Sequence, residues 1–113
     1  MKTFAEWLDA LRLSEKVVLV EGKNDARALI ALGITNVVVL KGKPLFEVVD
    51  SLDGDDFVIL TDLDAAGKSL YKEVKDLLVR RGKRVDTVFR EFLFRETKLS
   101  HIEGIVSYFS EEL

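Results

Sequence analysis

Few side chains in this 113-residue chain are suited to chemistry, and their kinds narrow what it can do. It has no Cys, which excludes disulfides, thiolate nucleophiles and zinc–thiolate sites, and its single His excludes a multi-His metal site. Carboxylates, Lys, Arg and hydroxyls remain. Glu21 closes the apolar run Val17-Val18-Leu19-Val20, and Asp62 and Asp64 follow Phe57-Val58-Ile59-Leu60. An Asp-x-Asp leaving a strand lets both carboxylates reach one place, and Ala65, Ala66 and Gly67 leave room beside them. Such hard oxygen donors suit Mg2+ or Mn2+, bound through one or two carboxylates with waters and phosphate oxygens completing the shell. Asp64 is also well placed for a purely structural role, capping the helix that starts near Ala65. Lys23, Lys41 and Lys43 are expected on loops at the same edge as the acids, where they either offset substrate charge or merely solvate turns.

The elements that would position these groups follow from apolar spacing. Phe4, Trp7, Leu8 and Leu11 lie at i, i+3, i+4, i+7, and Thr3 and Glu6 stand at capping-box spacing, predicting a helix over 3–13. Val17–Val20, Val37–Leu40 and Phe57–Leu60 read as buried strands. Between them, Asn24 or Asp25 can cap a helix that runs to Leu32 and ends at Gly33, while Leu45, Val48, Val49 and Leu52 mark another. Leu70, Val74, Leu77 and Leu78 predict a long helix ending at Gly82. Val85 to Phe89 is expected as a fourth strand, Phe92 to Lys98 is ambiguous, and Ile102, Ile105, Val106 and Phe109 describe a last helix within an extension over 99–111. Apolar strands alternating with helices predict a single α/β domain over 1–113: a three-layer α/β/α fold on a mainly parallel, Rossmann-like sheet of about four strands.

Composition agrees. With 48% hydrophobic and 33% charged residues the chain is that of a folded globular protein, and without a run of 18 apolar residues it has no membrane span. The N-terminus carries an acid within its apolar stretch and no small-residue cleavage site, so a cytoplasmic location is expected. The net charge of −3 is unevenly spread: residues 68–98 carry ten basic and five acidic side chains, the candidate footprint for a phosphate backbone unless they form only a solvated helix face and a basic turn. The absence of Gln, with Asn24 and Asn36 the only side-chain amides, is compatible with a thermophilic source.

Val18-Leu19-Val20-Glu21-Gly22-Lys23-Asn24-Asp25 followed by Leu60-Thr61-Asp62-Leu63-Asp64-Ala65-Ala66-Gly67 resembles the two signature motifs of the Toprim domain. That domain is shared by bacterial primases, topoisomerases, OLD-family nucleases, RecR-type repair proteins and ribonuclease M5. The resemblance spans about residues 16–90. It implies that Glu21 is a general acid or base and that Asp62 and Asp64, with Glu21 beside them, hold Mg2+ or Mn2+. Ala66 stands where some topoisomerases carry a third acid, so the pattern is closer to the primase-like and ribonuclease M5-like members. The implied function is metal-dependent phosphodiester chemistry on nucleic acid, RNA or DNA, most simply as a nuclease (a hydrolase). The alternatives are a non-catalytic nucleic-acid-binding module that recruits larger processing proteins, or a primase-like accessory.

Competing motifs fit less well. Gly67-Lys68-Ser69 resembles the end of a P-loop, but the first glycine of that pattern is replaced by Asp62, which would repel phosphate. Lys68 nonetheless remains a candidate for contacting a phosphate in catalysis, as does Lys23. A dehalogenase-type phosphotransferase would carry its Asp-x-Asp after the first strand, and a receiver domain would need a fifth strand ending in Lys. Arg80, Arg81, Lys83 and Arg84 surround Gly82 at the edge away from the acids, reading as a basic helix C-terminus. His101 reads as a surface or helix-start residue without partner spacing for metal or triad work, and Phe4, Trp7 and Phe109 as core.

Overall fold

A computed structural model describes residues 1–112. Four parallel strands form one sheet in the order β2-β1-β3-β4: β1 (Val17–Val20), β2 (Val37–Val39), β3 (Asp56–Ile59) and β4 (Arg84–Val85). Side-chain alternation along the two central strands divides the core. Val18, Val20, Val58 and Leu60 face one layer, made of α1 (Phe4–Ser14), α2 (Lys23–Ala31), α5 (Val88–Glu96) and α6 (Ile105–Glu112). Leu19, Phe57 and Ile59 face the other, made of α3 (Leu45–Asp50) and α4 (Ala65–Arg80). The three-layer α/β/α arrangement expected from the strand–helix alternation is therefore present. No described helix is long and apolar enough to cross a membrane.

Local chemistry explains the element boundaries. Thr3 and Glu6 complete a reciprocal capping box, each bond 3.1 Å, so α1 starts where the spacing predicts. Its Trp7 is fully buried, with the indole N–H donating to the Phe89 carbonyl at 2.9 Å, which ties α1 to α5. The second helix starts earlier than expected: Gly22, not Asn24 or Asp25, is its N-cap, and Asp25 caps it from the third helical position by accepting the Gly22 N–H at 3.0 Å. β2 lies at the sheet edge and is only half-buried, where a buried strand was expected.

The main departure is at the fourth strand. Instead of running from Val85 to Phe89, β4 stops at Val85. Asp86 extends the ladder by one bond to the Phe57 carbonyl, and its carboxylate then accepts the Val88 N–H at 3.1 Å. From there Phe89, Phe92 and Leu93 are buried at i, i+3 and i+4, a helical rather than alternating pattern, and the ambiguous Phe92–Lys98 segment is largely part of that helix.

Candidate metal centre

In an open parallel sheet, ligands bind beyond the carboxyl ends of the strands where the strand order reverses direction. Here that point lies between β1 and β3, since β1 is flanked by β2 on one side and β3 on the other. Glu21 leaves β1 and Asp62 follows β3 at this position. The Glu21 carboxylate accepts the Asp62 N–H at 3.0 Å, so the two motifs meet through a hydrogen bond. The Glu21 carboxyl is raised above its ordinary value by burial, helped by the carboxylates of Asp62, Asp25 and Asp64 and opposed by the Asp62 N–H.

The loop carrying the acid pair is held from several sides. Asp64 is the N-cap of α4 and accepts the Gly67 N–H at 2.7 Å, so its structural role is real. Gly67 is required by close approach: a Cβ there would lie 1.9 Å from the Asp62 carbonyl oxygen, with no flexible side chain to yield. The Thr61 hydroxyl donates to the Gly67 carbonyl at 2.7 Å. Because β4 ends early, no strand continues beside the carbonyls of Thr61 and Asp62. The buried guanidinium of Arg90 takes both, reaching the Asp62 carbonyl at 2.9 Å. Arg90 also lies 4.8 Å from the Tyr71 ring centroid and 5.2 Å from that of Phe94. Burial disfavours its charge, while Tyr71 and the carboxylates of Asp62, Glu21 and Asp64 favour it.

The C-terminal segment closes the site. Ser100 accepts the Leu63 N–H at 2.7 Å, and the Ile102 N–H donates to the Asp62 carboxylate at 2.9 Å. Between them His101 brings its Nε2 within 3.4 Å of Asp64 Oδ2. One donor atom each from Asp62, Asp64 and His101 lie within 4.8 Å of one another, the one group of potential metal donors among the described residues. Two carboxylates and an imidazole, the former each anchored by a backbone N–H, suit a divalent ion. His101 does start a helical turn as expected, but the expectation that it lacks partners is overturned: chain distance hid a contact made only in the fold. Glu21 stands outside this donor group and reaches the loop through the Asp62 N–H.

A cavity of about 600 Å3 opens beside the acids, lined by Glu21, Asp62 and Glu103 and by the cations Lys23, Arg27 and Lys41. Lys43 does not line it. Lys68 faces elsewhere, 5.1 Å from the Phe94 ring centroid, in a separate cavity of about 370 Å3 with Tyr71, Lys75 and Arg90. Of the positive charge of residues 68–98, only the buried Arg90 is shown bonded to the acidic loop. Arg81 pairs with Asp50 and Arg84 with Asp56 at the opposite end of the sheet, and Arg90 is buried. Arg90 lies behind the acidic loop, and the cations that line the cavity beside the acids come from the first half of the chain.

Residues 16–89 match the family model of the Toprim domain. A UPF0292 protein of Archaeoglobus fulgidus is 32% identical over 116 residues, covering 97% of this chain and 92% of that protein. One from Thermococcus sibiricus is 37% identical over 106 residues, covering 92% and 83%. A solved structure described as a putative protein from Aquifex aeolicus superposes with a TM-score of 0.86 at 39% identity, covering 92% of this chain and 99% of that one.

Proposed function

The chain belongs to the Toprim family, and from that membership and the meeting of its two acidic motifs we propose a divalent-metal-dependent nuclease acting on nucleic acid, in the manner of ribonuclease M5-like members. The carrying observation is that Glu21 meets the loop of the Asp62–Asp64 pair at the sheet's switch point, beside a cavity lined by Glu21 and Asp62 together with Lys23, Arg27 and Lys41. In this reading Asp62 and Asp64 hold Mg2+ or Mn2+ through the oxygens that Ile102 and Gly67 do not engage. A bound ion would supply Lewis-acid stabilisation of charge developing on the phosphate. Glu21, whose carboxyl is raised by burial and by neighbouring acids, moves a proton at the attacking or leaving oxygen. Lys23, Arg27 and Lys41 offset the substrate's charge beside carboxylates that would otherwise repel it. Lys68, on the Phe94 face, contributes only if the nucleic acid extends past α4.

The test is incubation of the protein with structured RNA, single-stranded DNA and duplex DNA in Mg2+, Mn2+ or EDTA. Metal-dependent cleavage of one of them is expected. Glu21→Gln should lower its rate by roughly a hundred- to ten-thousand-fold with substrate binding retained. Tight binding with no cleavage of any substrate would favour the recruiting module or a primase-like accessory. Loss of binding together with activity in Glu21→Gln would make Glu21 structural.

A further inference from the structure

We infer that His101 is a nitrogen ligand to the ion held by Asp62 and Asp64, and that it biases this site toward first-row transition ions such as Mn2+ over Mg2+. The inference rests on the metal-site reading above and specifies which ion that site selects. Geometry is the first support. Ligands about 2.1 Å from one ion and roughly at right angles lie about 3 Å apart. The 3.4 Å between His101 Nε2 and Asp64 Oδ2 is close to that edge, and long for a charge-assisted hydrogen bond, whose usual length is about 2.7–2.9 Å.

The second support is that the ring is aimed. His101 Nδ1 lies 3.0 Å from Ser100 Oγ, and in the tautomer that donates Nδ1–H to that hydroxyl the lone pair stands on Nε2. Main-chain bonds on both sides fix the segment to the acidic loop: Ser100 accepts from Leu63, and Ile102 donates to Asp62 itself. The imidazole is thus carried to the carboxylates by the same bonds that orient Asp62. Mg2+ favours an all-oxygen shell and keeps its waters, whereas imidazole suits the later first-row ions from Fe2+ to Zn2+ best, and Mn2+, at the weak end of that series, still accepts it more readily than Mg2+ does. A third protein donor that is nitrogen therefore separates the two classes.

The protein loaded with Mn2+ and studied by pulsed electron paramagnetic resonance tests this directly. Since the chain has one His, imidazole nitrogen coupling to Mn2+ can come from no other residue. The expected result is such coupling in the wild type and its loss in His101→Ala, whose 56%-exposed side chain leaves the core intact. Calorimetry should show Mn2+ affinity falling roughly ten-fold or more in that variant, with Mg2+ affinity changing much less. Mn2+ bound at the acids without nitrogen coupling, and unaffected by His101→Ala, would overturn the inference while leaving the metal site standing. Failure of the wild type to bind Mn2+ at all would overturn both.

Discussion

Burial of the Glu21 carboxyl among other acids sets a pH dependence. Burial and the carboxylates of Asp62, Asp25 and Asp64 raise that carboxyl above its ordinary value of 4.5, against the opposing Asp62 N–H. The folded chain then holds that proton to a higher pH than the unfolded chain does. Stability from neutral Glu21 is fully present below the unfolded value and is lost as pH rises through the folded one. Glu21→Gln, which keeps an oxygen to accept the Asp62 N–H, should melt above the wild type in metal-free buffer at pH 7 and gain little at pH 4. Thermal melts of both proteins at the two pH values check this, and an equal difference at both would assign the effect to something other than ionisation. The types and spacing of Glu21, Asp62 and Asp64 were legible in the sequence because each is local to a strand end. His101 and Arg90 were not, since each acts on the acidic loop across 28 or more residues of chain. For Arg90 a signal was there: Phe89, Phe92 and Leu93 at helical spacing place it on a helix.

At the level of elements, the brevity of β4 matters most. Two paired residues leave the end of β3 without a neighbour on that side, and α5 fills the gap with the Arg90 guanidinium. The apolar run after Gly82 was read as strand because Val85 and Phe89 suit one; the helical spacing from Phe89 onward prevails once Asp86 turns the chain. The other three strands and the major helices were legible because their apolar periods are unmixed. Edge position, by contrast, is a property of the assembled sheet, which is why the Val37–Val39 run looked like a buried strand. Arg90→Met keeps comparable bulk between Tyr71 and Phe94 but leaves two carbonyls without donors. It should cost about 1–3 kcal/mol, the usual penalty for an unpaired buried polar group. The same variant should bind Mn2+ more weakly than the wild type in calorimetric titration, because the Asp62 main chain keeps its bond to Glu21 but loses the one to Arg90. A destabilised variant with unchanged Mn2+ affinity would confine Arg90 to a structural role.

Across the whole molecule, charge and topology point to the same end of the sheet. The exposed pairs Arg81–Asp50 and Arg84–Asp56 lie at the opposite end, while Lys23, Arg27 and Lys41 line the cavity beside the acids and Arg90 is buried behind their loop. Net charge along the sequence could not reveal this, because it does not record which cations already have partners. The C-terminal segment adds the last wall, so the site draws on residues from 21 to 102 and depends on the complete fold. Metal binding to the native state alone should accordingly stabilise the protein, by about 2.7 kcal/mol at an ion concentration one hundred times the Kd. The most direct test of the central claim, that these acids hold a catalytic divalent ion, is a Mn2+ titration calorimetry comparison of the wild type with Asp62→Asn combined with Asp64→Asn. Asn at 64 still caps α4 and Asn at 62 can still accept the Ile102 N–H, so the double variant retains the loop's hydrogen bonds. A saturable isotherm in the wild type that vanishes in the folded double variant is the result predicted; an isotherm unchanged by both substitutions would contradict it.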